Sequence, residues 1–279
     1  MLNGNDLYQH IRNNLNSSFD EIEKKAICKA ILFDLANFKM PWALETSITT
    51  ILIERVNDAI LRINNGEPTQ YVCGLAPFRH HLFCVNRNVL IPRPETEELV
   101  SLVLENLPKL PPGKGLDIGT GSCAIAVAIS IEGYREMDAL DKSEEALLVA
   151  KKNIKKFGAA VKLIRADILE NSLDQNYSFI VSNPPYIPFG EQKEISWNVL
   201  HFEPEMALFV PDHNPLLFYE RITNLATAFL NPGGALFFEC HYKFTEQVSD
   251  LLLAHKFSDV QIKKDLSGKQ RMVFGFYNL

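Results

Sequence analysis

The spacing of apolar residues divides the chain into regions of different structure. Over residues 5–62 apolar positions recur at intervals of three and four, as in EIEKKAICKAILFDLA and ITTILIERVNDAILRI, which predicts amphipathic helices. We expect residues 1–67 to form a small helical domain. The next stretch has short alternating or aromatic runs separated by glycines and prolines, a pattern typical of a β-hairpin. We assign residues 68–93 to a connector that carries this hairpin.

The rest of the chain, residues 94–279, alternates strand-like and helical patterns. Strand patterns GLDIG, MDALD, VKLIRAD, YSFIVSN and GALFFEC alternate with helical patterns CAIAVAISI, SEEALLVAKKNIKKF, PLLFYERITNLATAFL and KFTEQVSDLLLAHK. This alternation predicts right-handed βαβ units around a parallel sheet. The tail VQIKKDLSGKQRMVFGFYNL predicts two strands joined by a tight turn at Ser267-Gly268, which makes them antiparallel. We therefore expect an α/β fold with an antiparallel C-terminal strand.

Composition narrows the class of protein. The 279 residues are 47% hydrophobic and 22% charged, as in ordinary globular domains. No apolar run approaches the roughly 20 residues that span a bilayer, and the start MLNGNDLYQHIRNN lacks a signal-peptide core. We expect a cytoplasmic protein with no membrane association. The five cysteines are widely spaced without a CxxC pair, which predicts neither a disulfide framework nor a metal site.

The charge is unevenly distributed. Residues 1–90 balance 9 Lys and Arg against 9 Asp and Glu, so the net charge of −6 falls on residues 91–279. A nucleic-acid substrate held through its phosphates requires a basic face. The acidic α/β region therefore argues against a nucleic-acid substrate.

The first βα turn, LDIGTGSCAIA, has the features of a cofactor loop. Gly119 and Gly121 follow a predicted strand and precede a helix, where the lack of a Cβ lets the backbone bend and approach a ligand. Asp141 ends the next strand about 20 residues further on, where a carboxylate accepts hydrogen bonds from ribose hydroxyls. This combination predicts an adenosine-containing cofactor, either a dinucleotide or S-adenosylmethionine.

Two further carboxylates are candidates for the same site. Asp117, inside the loop, disfavours a phosphate by like-charge repulsion and suits an ammonium group. Asp167, after the third strand, is placed to reach an adenine amino group, with Ile168 able to pack on the ring. Loop capping is the alternative role for Asp117 and Asp167.

The segment FIVSNPPYIP combines a buried strand with an abrupt end. Pro184 and Pro185 cannot donate ladder hydrogen bonds, so the strand must end near Asn183. An amide side chain, a proline carbonyl and the ring of Tyr186 then meet at the carboxyl end of a strand, where ligands bind in open α/β sheets. A plain strand-ending turn is the alternative.

These motifs together resemble a known family. DIGTG, ALD, RADIL and VSNPPY, in this order, are similar to class I S-adenosylmethionine-dependent methyltransferases of the NPPY type, which methylate planar amide or exocyclic amino nitrogens. LIPRPETEELV, FEPEMAL, NPGGALFFE and DLSGKQRMV further resemble the release-factor glutamine methyltransferases, the HemK/PrmC family. The similarity spans about residues 68–273. In this chain Cys123 stands where the family usually has Gly or another small residue.

The resemblance implies a Rossmann-like, mostly parallel seven-stranded sheet, with S-adenosylmethionine as cofactor and no metal. It implies N5-methylation of the glutamine in the GGQ motif of peptide chain release factors, by a monomer. The implied cofactor-binding residues are Asp117, Gly119, Thr120, Gly121, Ser122, Cys123, Asp141, Asp167, Ile168 and Asn183. The implied substrate-binding residues are Asn183, Pro184, Pro185 and Tyr186, of which Asn183, Pro184 and Tyr186 are expected to be catalytic.

The same motifs are compatible with two other functions. NPPY also occurs in adenine-N6 nucleic-acid methyltransferases, which the acidic α/β region disfavours. A Rossmann-like NAD oxidoreductase or a non-catalytic nucleotide-binding module fits the glycine loop, but neither needs NPPY.

Overall fold

The structure is a computed structural model that describes residues 3–39 and 48–277. Its first part consists of helices α1 (Gly4–Asn14), α2 (Glu21–Ala30) and α3 (Thr50–Asn64), with a π-helical turn at Ile31–Leu35. The side chains of Asn3 and Asp20 accept hydrogen bonds from first-turn N–H groups and thereby cap α1 and α2. The apolar faces of these helices pack into one cluster.

The predicted helical domain and its connector meet in that cluster. The connector contains α4 (Thr69–Cys73) and an antiparallel hairpin of β1 (Leu75–Phe78) and β2 (His81–Cys84). Val72 of α4 is buried among the side chains of α1 to α3. Residues 1–2 and 40–47 of the predicted helical domain lie outside the described residues, and its boundary at residue 67 stays a prediction.

The α/β part is built on one seven-stranded sheet, which confirms the predicted fold class. Its strands are β3 (Gly115–Ile118), β4 (Met137–Asp141), β5 (Val161–Arg165), β6 (Tyr177–Ser182), β9 (Leu230–Glu239), β10 (Phe257–Lys264) and β11 (Gln270–Tyr277). Their order is β10-β11-β9-β6-β3-β4-β5. Strand β11 runs in the opposite direction to the other six strands and is antiparallel to both β10 and β9, as the predicted C-terminal hairpin requires.

Helices cover both faces of the sheet. They are α5 (Pro94–Asn106), α6 (Ala124–Glu132), α7 (Glu144–Phe157), α9 (Leu217–Phe229) and α10 (Thr245–Ala254). Both faces of strand β6 are buried, which explains its continuous apolar sequence. Phe179 and Val181 pack in the core on the side of α5 and α6, whereas Ile180 packs in the core on the side of α9 and α10. Within the described residues, no helix is both long and apolar enough to cross a membrane.

Several elements went unpredicted. Helix α5 carries the usual start signals, with Pro94 in its first turn and Glu95 and Glu97 beside it, but the sequence analysis assigned it no structure. A two-stranded parallel sheet, β7 (Ile187–Pro188) with β8 (Phe209–Val210), and the short α8 (Trp197–Phe202) lie between β6 and α9. These elements are too short to show a helical or strand periodicity of apolar residues.

Gly115 provides a test of the packing between β3 and its neighbours. A Cβ at this position would overlap the ring of Phe179 and lie 2.6 Å from Met137 Sδ. We expect Gly115→Ala to lower the free energy of unfolding in urea by roughly 1–3 kcal/mol, because overpacking a filled core forces neighbours off their rotamers. The control is Gly190→Ala, whose Cβ would meet only the Asp212 side chain, at 3.3 Å. Equal stability of Gly115→Ala and the wild type would contradict this packing.

Candidate active site

A cavity of about 300 Å³ opens at the carboxyl ends of the central parallel strands. Turns after β3, β4, β5 and β6 form its floor, and residues 204–211 and the start of α9 form its opposite wall. Eight residues predicted from the sequence line it: Gly119, Gly121, Asp141, Asp167, Ile168, Asn183, Pro184 and Pro185. The remaining five do not line it: Asp117, Thr120, Ser122, Cys123 and Tyr186.

The glycine loop turns sharply between β3 and α6. Gly119 and Gly121 have φ values of 74° and 51°, in the left-handed region that favours glycine. A Cβ on either residue would have no described atom within 4 Å. Hydrogen bonds to β4 fix the loop, since the N–H groups of Gly119 and Thr120 donate to the Leu140 carbonyl at 2.9 and 3.0 Å. Its two glycines therefore leave an open cradle at the cavity wall.

Asp141 bridges this loop and the next turn. One carboxylate oxygen accepts a hydrogen bond from the Gly121 N–H at 2.8 Å, and the other accepts from the Ser143 N–H at 2.9 Å. Burial raises the pKa of Asp141, while these backbone hydrogen bonds oppose the rise. Each carboxylate oxygen has further acceptor capacity toward the cavity, as a pair of ribose hydroxyls requires.

Asp167 and Ile168 lie where the sequence predicted, on the wall next to Asp141. Asp167 accepts hydrogen bonds from Lys142 Nζ at 2.9 Å and from the Leu169 N–H at 3.0 Å. Burial alone would raise the pKa of Asp167, but these two hydrogen bonds outweigh it and lower the pKa. Ile168 is 6% exposed and presents an apolar surface to the cavity.

Asp117 is the third residue of β3, not a loop residue as the sequence predicted, and it lies fully buried beneath the glycine loop. Its Oδ2 accepts hydrogen bonds from Thr120 Oγ1 at 2.6 Å and from the Ala126 N–H at 3.3 Å. Its Oδ1 has no hydrogen-bond partner among the described residues. Burial raises the pKa of Asp117 to about 7. These bonds match the loop-capping alternative, and direct cofactor binding by Asp117 stays a prediction.

The other residues behind the cavity wall hold the loop in place. Cys123 is fully buried and precedes α6 with a φ of 67°, which explains why glycine suits this position in the family. The Ser122 carbonyl accepts a hydrogen bond from Asn153 Nδ2 at 2.8 Å, and the same amide donates to the Cys84 carbonyl at 2.9 Å. Asn153, which the sequence analysis missed, thus ties the loop to the hairpin.

The Asn-Pro-Pro-Tyr segment begins where β6 ends. Ser182 is the last residue of β6, and its hydroxyl donates to the Ile118 carbonyl at 2.7 Å, which holds the end of β6 against β3. Asn183 Nδ2 donates to Thr96 Oγ1 at 3.2 Å. Tyr186 lies outside the cavity lining, with its hydroxyl 3.4 Å from Glu239 Oε1 and its ring 5.9 Å from the ring of His241.

Besides Asn153, sequence reasoning missed four side chains that support the site. Thr96 and Glu239 contact the Asn-Pro-Pro-Tyr segment. Arg93 forms an ion pair with buried Glu203 at 2.6 Å, which fixes the start of the wall formed by residues 204–211. All four lie in the segments LIPRPETEELV, FEPEMAL and NPGGALFFE that carried the family resemblance, which was the available signal.

The residues around the cavity suit S-adenosylmethionine. The glycine cradle leaves space that any side chain would occupy, and the Asp141 carboxylate stands beside it. Buried Asp117 beneath the loop has no cationic side chain among its hydrogen-bond partners, and its ionised form would favour a positively charged ligand. Ile118, Leu140 and Ile168 supply apolar contacts for a planar ring.

Comparisons with known proteins show which proteins this chain is similar to. The family model "Methyltransferase small domain" matches residues 96–203. The release factor glutamine methyltransferase of Bacteroides thetaiotaomicron is 37% identical over 275 residues, covering 96% of this chain and 98% of that protein. The release factor glutamine methyltransferase of Bacillus subtilis is 38% identical over 216 residues, covering 75% of each chain.

Solved structures show the same fold. A methyltransferase from Pyrococcus furiosus superposes with a TM-score of 0.54 at 18% identity, covering 71% of this chain and 89% of that one. A T. thermophilus 16S rRNA N2 methyltransferase in complex with AdoMet and guanosine gives 0.53 at 19% identity, covering 73% of this chain and 50% of that one. At this identity the likeness extends to the fold alone.

Asp141 gives the first test of the cavity. We expect Asp141→Ala to weaken binding of S-adenosylmethionine by roughly 1.5–3 kcal/mol, because the ribose hydroxyls lose a charged acceptor. Isothermal titration calorimetry measures this change directly. Glu144→Ala is the matched control, since Glu144 is an exposed carboxylate near the same turn that pairs with Arg165 on the surface. An unchanged dissociation constant for Asp141→Ala would remove Asp141 from the site.

Proposed function

This chain belongs to the release factor glutamine methyltransferase family, and on that basis we propose that it methylates the side-chain N5 of the glutamine in the GGQ motif of peptide chain release factors, with S-adenosylmethionine as methyl donor. The position of the Asn-Pro-Pro-Tyr segment is the observation that best supports this activity. Asn183, Pro184 and Pro185 share one cavity with the glycine loop and Asp141, so an acceptor nitrogen held by Asn183 faces the cofactor-binding wall.

The acceptor is a planar amide, which is a poor nucleophile because its nitrogen lone pair is delocalised into the carbonyl. Asn183 Oδ1 and the Pro184 carbonyl are two acceptors that bind the two N–H hydrogens and orient the nitrogen. These bonds strengthen as the nitrogen loses its conjugation and its hydrogens become more acidic. When bound, S-adenosylmethionine supplies an electrophilic methyl group on its sulfonium. Tyr186 lies behind the cavity lining, and its hydroxyl contact with Glu239 supports the segment that carries Asn183 and Pro184.

The proton balance requires no dedicated base. The methylated amide nitrogen is strongly acidic and releases its proton after transfer, so the segment needs acceptors but no Asp, Glu or His of its own. Asn183 Oδ1 and the Pro184 carbonyl fulfil this requirement.

Methyl transfer from labelled S-adenosylmethionine tests the proposed substrate. We expect label in a class 1 release factor, and none in the same factor with its GGQ glutamine replaced by alanine or in duplex DNA. The acidic region, residues 91–279, which carries the whole net charge of −6, supports a protein substrate over DNA. Label in DNA would instead favour the adenine-N6 activity. We place the reaction in the cytoplasm, where release factors act, and propose that the enzyme acts as a monomer.

Asn183 variants test the mechanism. We expect Asn183→Ala to retain cofactor binding but to lower the single-turnover rate of methyl transfer by roughly 10²-fold or more, as when one preorganised hydrogen-bonding group is removed from an active site. Asn183→Asp keeps an acceptor but adds a charge, so its rate should lie between those of the wild type and Asn183→Ala. A wild-type rate for Asn183→Ala at saturating substrate would mean that the segment is only a strand-ending turn.

We also propose that the helical region, residues 1–67, contacts the release factor away from the glutamine. A small accessory domain lends binding area that an active-site cavity lacks. Three of its large apolar side chains are highly exposed: Ile22 on α2 at 81%, and Ile51 and Leu61 on α3 at 70% and 60%. Contact with a partner would remove this apolar surface from water.

The double variant Ile22→Ser, Leu61→Ser tests this surface. We expect kcat/KM for a whole release factor to fall by roughly 5- to 30-fold, while kcat/KM for a short GGQ peptide stays unchanged, because the peptide cannot reach the helices. Leu148→Ser, at a similarly exposed leucine on α7, is the control and should affect neither substrate. Equal losses on protein and peptide would count against recognition by this region.

A further inference from the structure

The side chain of Asn183 is held by a chain of two buried residues that the proposed reaction does not itself use. Asn183 Nδ2 donates to Thr96 Oγ1 at 3.2 Å, and Thr96 Oγ1 donates to Glu239 Oε2 at 2.7 Å. Thr96 is 5% exposed and Glu239 is 1% exposed. We propose that Thr96 and Glu239 are positioning residues that set which end of the Asn183 amide faces the substrate. This inference rests on the proposed function.

Donor and acceptor rules decide the orientation. An ionised carboxylate only accepts hydrogen bonds, so Thr96 must donate its single hydroxyl hydrogen to Glu239. Thr96 Oγ1 then has only lone pairs left, and its contact with Asn183 must be made by the amide NH₂ group. The two ends of an amide have nearly the same shape, so hydrogen bonds such as the one to Thr96 must distinguish them. With Nδ2 bound to Thr96, Oδ1 is the end left for the substrate.

The opposite orientation would disable the site. An Asn183 turned by 180° would present its NH₂ group to the NH₂ group of the substrate glutamine, which places donor against donor. The nitrogen of the substrate would then lose one of its two acceptors. The rate of methyl transfer should therefore depend on Thr96 and Glu239 although neither touches the substrate.

Three separate elements bring this chain together. In the sheet, Ser182 of β6 pairs with Phe238 of β9 in parallel. The next residues, Asn183 and Glu239, therefore lie side by side at the carboxyl ends of these two strands. Thr96 reaches them from the first turn of α5. The Tyr186 hydroxyl donates a hydrogen bond to the other carboxylate oxygen, Glu239 Oε1, at 3.4 Å. Glu239 thus holds two residues of the Asn-Pro-Pro-Tyr segment, one directly and one through Thr96.

Thr96 variants separate positioning from folding. Valine has the shape of threonine without the hydroxyl, whereas serine keeps the hydroxyl and loses the methyl group. Thr223→Val is the matched control, because Thr223 is also buried in a helix and its hydroxyl has no hydrogen-bond partner among the described residues. The measurements are single-turnover methyl transfer to a release factor at saturating S-adenosylmethionine, cofactor affinity by calorimetry, and thermal unfolding.

We expect Thr96→Val to slow methyl transfer by about 10- to 100-fold, as is typical when a group that orients a reacting residue is lost. Cofactor affinity should not change. Thr96→Ser should recover most of the rate, and Thr223→Val should match the wild type. A Thr96→Val rate equal to the wild-type rate, or a Thr96→Ser rate as low as that of Thr96→Val, would overturn the inference. A wild type that fails to methylate the release factor would overturn the proposed function itself.

The pH profile gives an independent readout for Glu239. Burial raises the pKa of Glu239 to about 7, opposed by the Thr96 hydrogen bond and by Arg271 of β11, and Glu95 of α5 adds to the rise. Below this pH the carboxyl is protonated and its O–H can donate to Thr96, which frees the Thr96 hydrogen for Asn183 Oδ1. The wild-type rate should therefore fall below about pH 7, and Glu239→Gln should lose that fall. A fall that persists unchanged in Glu239→Gln would contradict the role of Glu239.

Discussion

A central strand that cannot continue is the constraint on which the site depends. Strand β6 lies between β3 and β9, and every residue in it is buried. Pro184 and Pro185 lack the N–H groups that a ladder in this position needs, so the chain must leave the sheet after Ser182. It leaves at the carboxyl edge, beside the glycine loop that follows β3. The same two prolines that end the strand therefore place an amide and a carbonyl at the ligand-binding edge of the sheet.

The parts of this fold that repeat were predictable from sequence. Buried parallel strands have apolar runs, and the helices between them have a 3.6-residue period, so the parallel sheet and its terminal hairpin follow from pattern. The union of seven strands in one sheet followed from the family resemblance. Gly119, Gly121 and Asp141 were also predictable, because their spacing reflects one βα turn and the end of the next strand. Helix α5 was not assigned, although Pro94 marks its start.

Contacts between distant segments were beyond such reasoning. Thr96 lies 87 residues from Asn183 and 143 residues from Glu239, and no periodicity links positions so far apart. Asp117 shows a second difficulty. It was expected inside the loop but is the third residue of β3, and its carboxylate turns beneath the loop toward Thr120 and Ala126. Sequence pattern fixes where a residue lies along an element, while side-chain direction depends on the packing of its neighbours.

The carboxyl edge of the sheet concentrates features that lower stability. Asp117 and Glu239 are buried carboxyl groups whose pKa values burial raises to about 7, and an apolar residue of similar size would avoid that desolvation. Cys123 adopts a left-handed backbone conformation beside them. Departures from local rules are expected where a protein holds reactive groups in one orientation. Because a buried carboxylate only accepts hydrogen bonds, it can dictate the direction of a whole hydrogen-bond chain, which an apolar replacement cannot do. The buried carboxyl groups at this edge cost folding stability. In return they orient the groups that bind the substrate, and the proposed reaction depends on that orientation and not on a catalytic base.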